Sequence, residues 1–208
     1  MSIESVVARI AEIQSTLSPP AQTPPKSITA AGGNSSFAGM LTNAMGPGAV
    51  GTASPVAPIA GGSGPGAAIV AAAAGEVGQA EQPAGSNDSP RIAQYRSATA
   101  GAPGPGPWCA YFASWACRQA GVPVGDHGEG FGSVDALYGW AQRSGRAAPT
   151  GSGYVPKPGD LIVFHEHIGV VENVLPNGQI QTIEGNSSDQ VARRTHPPSD
   201  AVGFVRTG

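Results

Sequence analysis

No charged residue stands between Lys26 and Glu76, and the interval is filled by Ala, Gly, Pro and Ser. With so few large apolar side chains it cannot bury enough surface to offset its ordering entropy, which marks a linker rather than a core. Basic runs are absent too, which sets duplex nucleic acid aside as a partner. No stretch reaches the uninterrupted apolar length that spans a bilayer. The N-terminus lacks a basic segment followed by an apolar one, the mark of a secretory signal. Cysteine is scarce, with only Cys109 and Cys117 among 208 residues. Placed on one helix, two such positions are separated by about 12 Å of rise. A disulfide needs Cα atoms within about 7 Å. The spacing therefore predicts two free thiols, and one of them follows a helix-start pattern.

Glycine (31) and proline (20) are abundant instead, about a quarter of the chain together. Their uneven distribution divides it. Residues 1–18 form one segment, in which Ile3, Val6, Val7, Ile10, Ile13 and Leu17 alternate threes and fours. That spacing predicts an amphipathic helix, ended by Ser18-Pro19-Pro20. A lone helix of this length is marginal in water, so residues 3–17 are expected to pack on a partner or on a second copy. Residues 19–65 are the Ala/Gly/Pro/Ser-rich linker, with a short apolar cluster at Phe37, Met40, Leu41 and Met45. Residues 66–208 are long enough for one ordinary core, and they hold nine Lys/Arg and twelve Asp/Glu, which accounts for the whole net charge of −3.

Within that domain the pattern predicts helices over 67–80, 91–98, 108–120 and 134–144. Gly/Pro loops lie at 101–107 and 122–133. The period then changes. Runs rich in Val and Ile at 160–164, 168–174, 179–184 and 201–205 read as strands, with Pro176-Asn177-Gly178 as a hairpin turn. Helices first and then an antiparallel meander give an α+β domain.

A cysteine hydrolase needs a thiolate, a base within reach and a group that orients the base. Pro107-Trp108-Cys109 stands where a Gly/Pro loop becomes a helix. The backbone N–H groups and partial positive charge of a helix N-terminus stabilise a thiolate there, and they can also receive an oxyanion. Cys117, two turns further in among Ala and Trp, reads as a small buried hydrophobe. His167, at the entrance of the strand Ile168-Gly169-Val170-Val171, is the best base. By alternation His165 shares its face, so the residues alone do not separate the two. His127 falls in a Gly-rich loop and His196 in a polar turn. The orienting group is expected on a neighbouring strand, where Glu184 and Asn186, two apart, would share a face. Zinc binding by His165-Glu166-His167 with Cys109 matches no familiar ligand spacing.

At these residues the sequence resembles a known family. Pro107-Trp108-Cys109-Ala110-Tyr111-Phe112-Ala113-Ser114-Trp115 resembles the nucleophile helix of CHAP-domain amidases and peptidases. Pro158-Gly159-Asp160-Leu161-Ile162-Val163-Phe164 with His167-Ile168-Gly169-Val170-Val171 resembles their strand pair around the catalytic histidine. Ile183-Glu184-Gly185-Asn186 resembles the segment supplying their third polar residue. Gly78, Glu81, Asn87, Ile92 and Tyr95 resemble the lead-in region of a bacterial subset, which extends the likeness to about residues 66–208.

The resemblance implies a papain-like fold, its N-terminal helices packed on an antiparallel sheet. It also implies cleavage of peptidoglycan at the sugar–peptide amide or within the peptide, at the cell wall or an equivalent space. It selects His167 over His165, with Cys109 as nucleophile and no cofactor or metal. Family members place Glu, Asp or Asn in the third role; Glu184 is favoured here, with Asn186 contacting substrate or the histidine. Trp108 and Glu81 are the auxiliary positions. The leader Val7–Gln14, with Phe37-Ala38-Gly39-Met40-Leu41, resembles leaders of actinobacterial flagella-associated proteins. It implies export by a flagellar route, a flagellar partner for residues 3–17 and opening of the wall for the rod. The alternative is a non-catalytic structural or wall-binding component of the flagellar base.

Overall fold

A computed structural model describes residues 64–208. The expected helix at 3–17, the cluster at Phe37–Met45 and nearly all of the linker lie outside the described residues. Four helices and six strands follow in order: α1 (Pro65–Ala74), α2 (Pro90–Arg96), α3 (Cys109–Gln119), α4 (Val134–Arg143), β1 (Ala147–Pro149), β2 (Leu161–Val163), β3 (Ile168–Val174), β4 (Ile180–Glu184), β5 (Ala192–His196) and β6 (Gly203–Val205).

Each helix starts where its sequence permits. Ser89 caps α2 by accepting from the Ile92 amide at 3.1 Å, with Pro90 in the first turn. Ser133 caps α4 by accepting from the Ala136 amide at 3.3 Å. Such caps satisfy N–H groups that the helix itself leaves without partners. The first helix is shorter than expected and stops at Ala74 instead of continuing to 80. Beyond it Glu76 turns back to ion-pair with Arg91 and to accept from the Tyr95 hydroxyl at 2.6 Å. The Gly78 amide meets the Val191 carbonyl at 2.9 Å, and Ala80 bridges to Gln190. Tertiary partners thus take the chain out of the helix that its alanines favour.

The core is built on α3, buried from Cys109 to Cys117. It packs against α1, α2 and β3. Tyr95, Trp108, Phe112 and Trp115 form an aromatic group here, with Tyr95 against Phe112 edge-on at 5.2 Å and Phe112 stacked on Trp115 at 6.1 Å. Such contacts add to simple area burial.

The sheet is antiparallel throughout, in the order β1-β6-β2-β3-β4-β5. Of the strands expected in the meander, β2, β3 and β4 form one, and β5 extends it. The last strand crosses back to pair with β2 and β1 instead of adding beside β4. Two strands escaped the sequence reading. Ala147–Pro149 is too short to show a period, and Ala192–His196 reads Ala-Arg-Arg-Thr-His, with polar residues where strands are usually apolar. Both are edges, where exposed charge is ordinary. Leu161, Val163 and Val170 face the helices, while Ile162, Val171 and Phe204 face a second, smaller apolar cluster. Burial on both faces explains why β2 and β3 read as continuous apolar runs.

The β3–β4 hairpin turns at Gly178 (φ 81°), a conformation that glycine adopts at little cost. The β2–β3 turn is tighter, closed by the Phe164 amide on the His167 carbonyl at 2.8 Å. Its tip holds His165 and Glu166, the latter at φ 62°.

Candidate active site

Three elements converge on Cys109: the start of α3, the β2–β3 turn and the end of β4. Cys109 is the first residue of α3, after the Gly/Pro loop. Unlike α2 and α4, this helix has no side-chain cap, since Trp108 at its N-cap makes none. Its leading N–H groups and the positive end of its dipole are left for a ligand. A cleft of about 370 Å³ opens beside them, lined by Pro103–Pro107, Cys109, Tyr111, Gly132, Asp135 and Glu166 among others.

The tight turn carries His167 to the same place. Its Nε2 lies 2.9 Å from Oε2 of Glu184. The Cys109 thiol is the other group that bears on the ring's charge. Because Nε2 is taken by the carboxylate, Nδ1 is the nitrogen that remains for the thiol. Burial opposes a charge on this imidazole, but hydrogen bonds and charge from Cys109 and Glu184 outweigh it and push its pKa up to about 9. Glu184 is 2 % exposed. Burial works against its ionisation as well, yet hydrogen bonds from His167 and Thr182 hold it below the ordinary carboxylate range.

The structure therefore brings Cys109, His167 and Glu184 together. His165 stands exposed at the tip of the turn, where strand alternation does not apply because Glu166 has left the extended region. The same correction holds for the expected common face of Glu184 and Asn186. Strand β4 ends at Glu184, and Asn186 sits at φ 57° beyond it.

Asn186 belongs to a second group, beneath the start of α3. With its amide turned to satisfy both ends, its oxygen accepts from the Trp108 amide at 3.2 Å and its nitrogen donates to Glu81 at 3.3 Å. Buried Glu81 also accepts from the Trp108 indole at 2.9 Å and from the Asn87 amide at 2.8 Å. Glu81, Trp108 and Asn186 thus fix the backbone on which Cys109 rides, and their hydrogen bonds go to one another and to Asn87 rather than to the His167 ring. Cys117 lies wholly buried and free, and its burial pushes the thiol pKa up to about 12. His127 is exposed in its loop.

Two polar partners of the site were not anticipated. Thr182 donates to Oε1 of Glu184 at 2.5 Å, and His196 places its Nε2 2.6 Å from the same oxygen. His196, expected in a polar turn, is the last residue of β5, paired with Ile180. Recognising β5 would have exposed it, since antiparallel register then sets His196 on the face of Thr182 and Glu184. Among the described residues no group of three or more His, Cys, Asp or Glu side chains is placed to hold a metal ion. The two histidines engage opposite oxygens of Glu184 instead of converging on one point.

Compared with known families, residues 101–186 match the CHAP domain. The match takes in Trp108, Cys109, His167, Glu184 and Asn186 and leaves Glu81 and His196 outside. No curated protein and no solved structure matches the chain. Helices on an antiparallel sheet, with a cysteine at a helix start facing a strand-borne histidine, agree with the papain-like fold of that family, so that this chain carries a CHAP domain at residues 101–186, of a class whose members are typically cysteine-dependent hydrolases acting on peptidoglycan at the cell wall.

Proposed function

We propose that residues 66–208 work as one cysteine hydrolase of peptidoglycan amide bonds, with Cys109 as nucleophile, His167 as base and acid, and Glu184 as its orienting carboxylate. The observation that carries this reading is the His167 ring, bound to the buried Glu184 carboxylate at the start of the helix that opens on Cys109, with both groups favouring its protonated form. That arrangement lets the imidazole take the thiol proton as the sulfur attacks. The thiolate attacks the amide carbonyl, and the carbonyl electrons move onto oxygen. Backbone N–H at Cys109 receives the oxyanion. As the tetrahedral intermediate collapses, the C–N bond breaks and His167 gives its proton to the leaving amine. Water, deprotonated by the same ring, then attacks the thioester and frees Cys109.

The cleaved bond is the sugar–peptide amide or a peptide bond of the stem or cross-bridge. The link to passage of a flagellar rod, with export by that route, rests on the resemblance of the leader alone. Purified sacculi digested with the protein should clear and yield new amino termini, which mass spectrometry assigns to one of these bonds. Cys109→Ala should abolish clearing while leaving the circular dichroism spectrum unchanged. Clearing that persists in Cys109→Ala and stops with a chelator would replace this mechanism with a metal-dependent one. A wild-type protein that binds sacculi without releasing products would instead favour the structural alternative.

A further inference from the structure

Glu184 is almost fully buried, and His167 accounts for only one of its oxygens. The other, Oε1, faces His196 at 2.6 Å and the Thr182 hydroxyl at 2.5 Å. His196 is held in place from two sides. Its backbone pairs with Ile180 of β4, and its ring lies against Phe164 at 4.7 Å. The ring of Phe164 in turn stacks on His167 at 6.1 Å. Two imidazoles thus flank one carboxylate, and one phenyl ring lies against both. A carboxylate with a donor on only one oxygen can rotate about its last bond, and its alignment with the catalytic ring is lost with that rotation. Donors on both oxygens oppose this; on Oε1 Thr182 belongs to β4 itself, whereas His196 ties the carboxylate to the neighbouring strand β5.

We propose that His196 is a positioning residue: by donating from Nε2 to Oε1 of Glu184 it locks the carboxylate so that Oε2 holds the His167 ring with Nδ1 toward Cys109. The role rests on the reading of Cys109 and His167 as nucleophile and base. His196 itself touches neither substrate nor the reacting atoms. The group it acts on is Glu184 of β4, and through it His167; Thr182 is the other donor on the same oxygen.

The test uses the full chain in three forms: wild type, His196→Gln and His196→Phe. Glutamine can place an amide N–H where the imidazole Nε2 stands, whereas phenylalanine keeps the ring contact with Phe164 and removes the donor. Two readouts are needed. The first is kcat and KM on a soluble muropeptide. The second is the rate of Cys109 alkylation by iodoacetamide, which needs no substrate and reports the thiolate directly.

His196→Phe should lower kcat by about tenfold or more, the usual scale for losing a hydrogen bond to a charged group, with KM within twofold of wild type. Alkylation should slow in parallel. His196→Gln should recover most of both. The idea is overturned if His196→Phe matches wild type in both rates, or if His196→Gln is as impaired as His196→Phe while both keep the wild-type melting temperature. Should either variant melt early, the comparison is made on the fraction folded, and an alkylation rate then equal to wild type also overturns it. If wild type cleaves no muropeptide, the proposed function fails, while alkylation still decides whether His196 governs the His167–Cys109 pair.

Discussion

A carboxylate buried as deeply as Glu184 must find hydrogen-bond donors within the protein, and it does so with His167, His196 and Thr182. The ionised form is held low and the His167 imidazolium is held high, so each charge stabilises the other. The signs set a pH dependence. Raised to about 9, His167 keeps its proton at neutral pH and loses it as the pH climbs through that value. Activity should therefore decline on the alkaline side with a midpoint near 9, because the acid that protonates the leaving amine is gone. Glu184→Gln removes part of what raises the imidazole. Its alkaline midpoint should move down toward the ordinary 6.5, with kcat reduced on the order of 10²- to 10⁴-fold. An unchanged midpoint in a pH–rate profile would mean that the carboxylate does not govern the base. The linkage to folding has the same signs. The histidine stabilises the fold below its unfolded value and ceases to do so above about 9, whereas Glu184 contributes above its ordinary 4.5 and ceases to do so as the pH falls through its lower folded value.

At the scale of elements, the site depends on how closely α3 approaches the end of β4. A Cβ placed on Gly185 would come within 2.5 Å of the Phe112 Cβ and 2.8 Å of the Trp108 ring. Both side chains belong to the packed core and cannot swing clear. Gly185→Ala should thus destabilise the domain by about 1–3 kcal/mol, the range for overpacking, seen as a lower midpoint in thermal or urea unfolding; a midpoint equal to wild type would contradict this packing. The start of α3 was readable from Pro107-Trp108-Cys109, since loop glycines and prolines followed by an apolar helix leave one interpretation. Strand β3 was readable at its full extent because its Val and Ile run is bounded by turns. His196 and β5 were not, because an edge strand of arginines has no apolar period and draws its order from its neighbour. Nor could alternation place His165 and Asn186, since each belongs to a chain reversal that includes a residue with positive φ, Glu166 at 62° and Asn186 at 57°.

Taken as a whole, the described residues bring two hydrogen-bonded groups to the start of α3 and the end of β4. Glu81, Trp108 and Asn186 anchor the helix start from below, while Glu184, Thr182 and His196 hold the histidine from the strand side. Cys109 stands at this junction and lines the adjoining cleft. No helix among the described residues is long and apolar enough to cross a membrane. The central claim is that Cys109 itself takes the acyl group from peptidoglycan. It is tested most directly by quenching a digestion of sacculi in acid during turnover and mapping the protein by mass spectrometry. The account predicts a muropeptide fragment joined to the peptide containing Cys109 through a bond that hydroxylamine cleaves, with Cys117 unmodified. Turnover that proceeds with Cys109 never acylated, and at undiminished rate in Cys109→Ala, would contradict it.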